Sequence, residues 1–390
     1  MRVFIWSPNY APEPTGIPPL VTDAAEWLVA RGHEVEVATA VPNYPERRIS
    51  RGYRSVISCT ERRGSVTVHR SWLRVHPHET VGDKALYEAS FAAVTLPAAL
   101  RAARRADVIL CVVPSLAAAV CAAAIRRLGG PRLVIWLQDL VLVAAAALDG
   151  GDALRRVRAV EGAAFRAADR VVTCSPGFRG YLRALGVDPA RVTTVYNWVD
   201  GGWIVPRRRS KRRRSRFLYA GNLGYTQGFE TLVDAARELD GEVEISIVGE
   251  GNASEQVREL AAVAPNIRVR PPVPKADYPE LLASADCHLV LQRRIASDAN
   301  FPSKIASYLA SGRPIIASMS HESPAAETLR ASGAALLVPA EEPESLAEAM
   351  ARLHRDRALG TELGRRGREF ALETFDRDTA LGHLEEALLA

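Results

Sequence analysis

The sequence predicts an α/β protein built as two tandem doubly wound, Rossmann-like domains. Three observations predict it. Strand-like and helix-like segments alternate from residue 2 to about residue 199, and a second alternating series begins at Arg216. Between Asp200 and Arg216 the periodicity stops at Pro206 and an arginine run, Arg207 to Arg216, which reads as an exposed connection. A chain of 390 residues also exceeds what one core usually holds.

Composition narrows the class. Hydrophobic residues make up 48% and charged residues 24%, as in a soluble globular protein. No apolar run is long enough to span a bilayer, and Arg2–Trp6 is too short for a signal-peptide core. Cysteines 59, 111, 121, 174 and 287 are scattered, mostly in apolar segments. Reduced thiols and a cytoplasmic protein are the expectation. The formal charge of +5 comes largely from the one arginine run.

The first series opens with the strand Arg2–Trp6, the Gly/Pro-rich turn Ser7–Gly16, a helix to about Arg31 and the strand Glu34–Thr39. In open α/β sheets ligands sit at such strand ends, but no GxGxxG is present, which disfavours a dinucleotide site. Strands follow at Asp107–Val112, Arg132–Trp136, Arg170–Cys174 and Val192–Val195, with helices at about 115–128, 152–168 and up to Leu185. Leu137-Gln138-Asp139 ends the second of these strands. Asp139 there is either functional or a cap of the next helix.

The second series runs through the strand Arg216–Ala220, the turn Gly221–Gly224, a helix from Gly228 to Leu239, and Val243–Val248 leading into Gly249-Glu250-Gly251. Ile267–Val269 and Ala285–Leu291 are further strands. The stretch Asn300–Ala317 organises the rest. Pro302 and Ser303 form a helix entrance, with Ser303 placed to accept a bond from a first-turn amide. Ile305, Tyr308 and Leu309 recur at helical spacing, and Gly312 ends the helix before an apolar strand. A helix N-terminus suits an anion. Lys304 adds a full positive charge where the helix dipole does not favour one, so either an anionic partner or solvation explains it.

Taken together, Gly221-Asn222-Leu223-Gly224, Val248–Gly251, Pro302-Ser303-Lys304 and Ser311–Pro314 resemble the GT-B nucleotide-sugar glycosyltransferases, and within them retaining glycosyltransferase family 4. Pro12–Gly16, Trp136–Asp139 and Asn197–Asp200 fit the enzymes of colanic acid and other polysaccharide or glycoconjugate assembly. The resemblance covers nearly the whole chain. It implies an acceptor-binding domain over 1–205, a donor-binding domain over 206–372, and a helix at 373–390 that packs back on the first domain.

Carried over residue by residue, the resemblance implies donor contacts at Gly221, Asn222, Gln227, Gly249, Val273, Ser303, Lys304 and Ile305. Gly249 and Val273 would flank the base, while Ser303, Lys304 and Ile305 would offer amides and a cation to the diphosphate. Gly16 would close over the diphosphate, and Asp139 would face the sugar and acceptor, so Asp139 and Lys304 are the implied catalytic pair. No cofactor is expected beyond the nucleotide-sugar substrate, a UDP-sugar for preference. No DxD stands between the domains, so transfer without metal is expected, by front-face attack with retention. The implied acceptor is a small molecule or a lipid-linked one. Peripheral contact with the inner, anionic face of the membrane is expected, and no nucleic acid.

Three departures stand out. Ala299 and Ser307 occupy the places of a glutamate pair common in the family, and the second glutamate commonly holds the ribose; Asp298 is one residue out of register. Gln227 stands where many members carry a lysine. Val141-Leu142-Val143 replaces the usual Pro-Asp after Gln138-Asp139. Glu161 reads as a surface residue, and His76-Pro77-His78 as a loop without a third metal ligand. The helix from Lys84 to Arg105 is either buried with a basic end or lies on a membrane. Other classes stay open: a nucleotide-sugar epimerase of the same architecture, and a nucleic-acid-binding protein using the arginine run, which lacks interleaved aromatics.

Overall fold

The computed structural model describes residues 1–14, 16–76, 81–140, 152–207, 213–239, 241–296 and 301–390. The chain forms two compact units, Met1–Tyr196 with Ala380–Ala390, and Asn197–Thr379.

In the first unit, β1 (Arg2–Trp6) lies between β2 (Glu34–Ala40) and β5 (Val108–Val113), parallel to both, with Ile5 opposite Val37 and Leu110. Beyond β2 come β4 (Val66–Ser71) and the edge strand β3 (Ser58–Arg63). Beyond β5 come β6 (Arg132–Leu137), β7 (Arg170–Thr173) and β8 (Val192–Thr194). The β3–β4 pair is antiparallel, unlike the rest. Every residue of β5 is buried, as expected of a parallel strand covered on both faces.

The helices on this sheet are α1 (Ile17–Ala30), α2 (Val81–Ala103), α3 (Leu116–Arg127), α4 (Asp152–Ala167) and α5 (Phe178–Ala184). On α2, Phe91, Thr95 and Ala99 are buried, and the Trp6 indole donates to the Thr95 hydroxyl at 2.9 Å. The stripe is therefore a core face, while Arg101, Arg104 and Arg105 stay exposed. Ala380–Ala390 joins this unit, where Glu385 meets His33 Nε2 at 2.7 Å and the Leu389 carbonyl accepts from Arg132 at 2.7 Å.

The second unit holds a six-stranded sheet, β11-β10-β9-β12-β13-β14, all parallel. Its strands are β9 (Ser215–Ala220), β10 (Val243–Val248), β11 (Ile267–Arg270), β12 (Cys287–Leu291), β13 (Ile315–Ser318) and β14 (Ala335–Val338). The helices α6 (Phe229–Glu238), α7 (Ser254–Ala261), α8 (Tyr278–Ala283), α9 (Lys304–Ala310), α10 (Pro324–Ser332), α11 (Pro343–Arg355) and α12 (Arg357–Thr374) follow, and α13 (Arg377–Leu389) ends the chain. Its core joins β9, β10 and β12 side chains such as Phe217, Ile245 and Leu289 to Leu232, Val257 and Met350 from the helices.

Residues 197–205, which the resemblance assigns to the first domain, pack within this second unit. The Val199 amide donates to the Phe375 carbonyl at 2.9 Å, and Arg368 donates to the carbonyls of Gly201 at 2.8 Å and Ile204 at 2.6 Å. Within the arginine run, 208–212 lie outside the described residues, as do Pro77 and His78.

Candidate active site

Strand order reverses between β1 and β5 in the first sheet and between β9 and β12 in the second. Loops leaving the carboxyl ends of strands at such a reversal form the usual crevice of an open α/β sheet. The expected residues of the second unit gather on the loops after β9, β10 and β11 and at the start of α9.

Tyr308 fixes α9 against β9. Its hydroxyl accepts from the Ala220 amide at 2.7 Å and donates to the Ala220 carbonyl at 3.0 Å. Its ring stacks on buried His288 at 4.2 Å, and His288 Nε2 meets the Ser311 hydroxyl at 2.9 Å. Lys304 lies four residues before Tyr308, on the same helix face. Its ammonium consequently sits over the Tyr219 ring, 3.6 Å from the centroid. Gly221, at φ 140°, passes beside it; a methyl at Gly221 would stand 3.1 Å from Nζ. Lys304 is half-buried, and burial lowers its pKa to about 7. An aromatic face and a backbone turn thus hold this cation in place, rather than water alone.

The glycines of the two neighbouring loops serve each other. A side chain on Gly249 would collide with the Gly221 carbonyl, while the Gly221 amide donates to Val248 at 2.9 Å. Gly249 is therefore required by loop packing whether or not a base lies beside it. Asn222 is exposed next to this contact, and its carbonyl accepts from the Tyr219 hydroxyl at 2.7 Å. Gln227 buttresses the same turn, its side-chain oxygen accepting from the Gly224 amide at 2.7 Å. Val273 follows β11, two strands from β9 along the same edge.

One expectation at the helix start is corrected. Ser303 does not cap α9. Its own backbone is helical at φ −56°, ψ −24°, and its side chain accepts no first-turn amide. The Ile305 amide is also already engaged, donating to the Pro302 carbonyl at 3.0 Å, and the Ile305 side chain is fully buried. Ser307, at the place of the second family glutamate, donates to the Lys304 carbonyl at 2.9 Å and lies 3.1 Å from the Tyr278 hydroxyl. Asp298 and Ala299 lie outside the described residues.

In the first unit, Asp139 follows β6, and burial raises its pKa to about 6, with Lys84 on α2 opposing the shift. Tyr44 is its neighbour: burial first, then Asp139, raises the phenol's pKa. The Tyr44 ring also borders Gly16, which enters α1 at φ 78°. Buried Glu13 secures this corner, accepting from the amides of Asn43 and Tyr44 at 2.8 Å each. Tyr44 was missed in the sequence, Lys84 was read only as the start of a helix, and Glu13 only as part of the Pro12–Gly16 motif. Tyr219 and Tyr308 were likewise missed as supports of Lys304. Glu161 is not a surface residue: it is fully buried and accepts a hydrogen bond from Tyr181. Val141-Leu142-Val143, which stands in place of the usual Pro-Asp, lies outside the described residues. Among the described residues no group of three His, Cys, Asp or Glu side chains is placed to hold a metal ion.

Comparison with known proteins bears on this arrangement. Residues 15–198 match a family profile described as a glycosyl transferase 4-like domain, and residues 214–356 match glycosyl transferases group 1. A putative colanic acid biosynthesis glycosyl transferase, WcaI of Escherichia coli K12, is 30% identical over 98% of both chains. Among solved structures, HepE of Anabaena in complex with UDP has a TM-score of 0.73 at 16% identity, over 100% of this chain and 99% of that one. Sucrose-phosphate synthase of Thermosynechococcus elongatus has a TM-score of 0.76 at 17% identity, over 99% and 97%. WaaG, a glycosyltransferase involved in lipopolysaccharide biosynthesis, has a TM-score of 0.69 at 15% identity, over 99% of each chain. These likenesses establish the GT-B fold.

Proposed function

Because the chain belongs to the glycosyltransferase family of GT-B enzymes with glycosyl transferase 4-like and group 1 domains, we propose that it moves a hexosyl group from a UDP-sugar to an acceptor hydroxyl or amine, with retention and without a metal ion. The observation that carries the reading is Lys304, a half-buried cation held over Tyr219 and beside the bare backbone of Gly221. A nucleoside diphosphate leaves with growing negative charge, and a pre-positioned cation in a site shielded from water stabilises that charge most. Burying this lysine without an anion disfavours its charged form, and a diphosphate restores it. Asn222 and Ser303 border the same place, and Gly249 and Val273 line the strand ends where the base would lie.

The anomeric carbon becomes oxocarbenium-like as its bond to the phosphate oxygen breaks. Attack by the acceptor from the face the phosphate leaves gives retention and needs no carboxylate nucleophile. Asp139, with a pKa of about 6, is mostly ionised at neutral pH and able to accept a hydrogen bond from a sugar or acceptor hydroxyl. The whole-length likeness to a putative colanic acid enzyme supports a role in polysaccharide, glycoconjugate or natural-product assembly. HepE, crystallised with UDP and with UDP-glucose, supports uridine as the base. No helix among the described residues is long and apolar enough to cross a membrane. A lipid-linked acceptor would therefore be met by peripheral contact at the inner, anionic membrane face.

The test is a thermal-shift screen of UDP-, GDP- and dTDP-sugars, then mass spectrometry of products with and without candidate acceptors. Stabilisation by a UDP-sugar and a glycosylated acceptor are expected. Isomerised donor without acceptor would replace transfer by epimerisation.

A further inference from the structure

We propose that the rim of the first sheet formed by residues 46–57 and the adjoining Trp72–Arg74 segment is a docking surface for an anionic lipid bilayer. It rests on the reading that the protein works at such a membrane, and gives that contact a definite place on the first unit. Residues 46–57 carry four arginines against one carboxylate, Glu46. Arg48, Arg51 and Arg54 are exposed, as is Arg74 nearby. Two large apolar side chains stand in the same patch: Ile57 is 81% exposed and Trp72 39%. They are neighbours, because the Trp72 amide donates to the Ile57 carbonyl at 2.7 Å.

This segment is a fixed platform. The Ser50 amide donates to the Pro42 carbonyl at 2.8 Å, closing the loop. Tyr53 turns inward, its hydroxyl donating to Glu61 at 3.1 Å and its ring lying 5.5 Å from the guanidinium of buried Arg70. Arg51 and Arg54 flank that anchor. Glu61 pairs with Arg70 at 2.5 Å and Glu26 with Arg63 at 3.4 Å, so Glu46 is the carboxylate of the segment set against its four arginines.

Isolated exposed apolar residues are ordinary, but an exposed isoleucine and tryptophan paired at the ends of two strands and continuous in sequence with exposed arginines are not. Arginine heads match lipid phosphates, tryptophan settles at the level of the headgroups, and isoleucine reaches the acyl boundary. A second copy of the chain is a poorer occupant. The edge strand β3 ends in Arg62 and Arg63, and edge charges oppose strand-to-strand pairing.

Flotation of the full chain with vesicles of phosphatidylcholine plus phosphatidylglycerol, and of phosphatidylcholine alone, tests the surface. Three variants are compared after melting curves show that they fold: Arg48→Ser/Arg51→Ser/Arg54→Ser, Ile57→Glu, and the charge-matched Arg101→Ser/Arg104→Ser/Arg105→Ser at the end of α2. Wild type is expected to float only with the anionic vesicles. The first triple variant should bind about a hundredfold more weakly and Ile57→Glu about tenfold, since each basic residue near an anionic surface and each buried apolar side chain contribute at that scale. The α2 variant should retain most binding. Wild type that fails to float would overturn the membrane reading and this surface together. Wild type that floats while the two triple variants lose equally, or neither loses, would overturn this surface alone. An Ile57-dependent dimer without flotation would replace lipid by self-association.

Discussion

Replacing Lys304 by Met should separate donor binding from stability. A charge-assisted hydrogen bond contributes about 1.5–3 kcal/mol, and each 1.4 kcal/mol is about tenfold in affinity. Lys304→Met should therefore weaken UDP-sugar binding roughly ten- to a hundredfold. Gln227, where many relatives carry a second cation, is neutral and occupied with Gly224, so it does not compensate. The folded protein, in contrast, should gain. Lys304 has a pKa of about 7 against an ordinary 10.5 because burial disfavours its charge. Stability referred to this group is lowest below pH 7 and rises as pH climbs from about 7 to 10.5, where the folded state has released the proton and the unfolded state has not. Methionine removes that cost, so the variant should melt higher near pH 7, by an amount on the order of a few kcal/mol. A merely solvated lysine would have left melting unchanged. Binding acquires a pH signature as well. With a pKa of about 7 about half the free protein carries the charge at pH 7 and about one molecule in a hundred at pH 9, so wild-type affinity should fall about five- to twenty-fivefold over that range, towards that of the variant, which stays flat. Calorimetry of UDP-sugar binding across pH, beside melting curves, measures all three effects. Equal affinity in variant and wild type, or a flat wild-type profile, would refute the reasoning and move the phosphate site elsewhere.

Two further substitutions probe the supports. Asp139 has a raised folded pKa, so its contribution to stability is fullest below pH 3.8 and is lost as pH rises through about 6. Asp139→Asn should therefore melt higher than wild type above pH 6, with the difference vanishing near pH 4, while turnover with acceptor falls. Melting curves and product formation at both pH values check it, and a variant as active as wild type would remove Asp139 from the chemistry. Tyr308→Phe deletes both hydroxyl bonds to Ala220. It should lose about 1–3 kcal/mol of stability by chemical denaturation and weaken UDP-sugar binding through the displaced Lys304. Unchanged binding would show that Lys304 does not depend on this bolt.

Much of the arrangement was legible because local signals agreed. Pro302, the Ile305–Leu309 spacing and Gly312 mark α9 and its end, and apolar runs such as Val108–Val112 mark buried parallel strands. The β3–β4 hairpin was not legible. Ser58–Arg63 is an edge strand with little buried surface, so Thr, Glu and Arg fill it and no apolar alternation appears. The burial of Lys304 was hidden for another reason: the ring beneath it, Tyr219, comes from β9, far away in sequence. The same holds for Asp139, whose neighbours Tyr44 and Lys84 arrive from other loops and helices. The partner of buried Glu161, Tyr181, likewise comes from another helix, α5. Ser303 shows the opposite error. A serine before a helix reads as a cap, but its backbone has already entered the helical conformation, where the hydroxyl no longer reaches the first-turn amides.

The most direct test of the central claim is a crystal structure of the protein with UDP. The account predicts a diphosphate against Lys304 Nζ, at about 2.7–3.2 Å from a phosphate oxygen, with the nucleotide passing Gly221 and Asn222 along the strand ends of the second unit. A nucleotide lodged only in the first unit, with Lys304 still over Tyr219 and no anion beside it, would contradict the account.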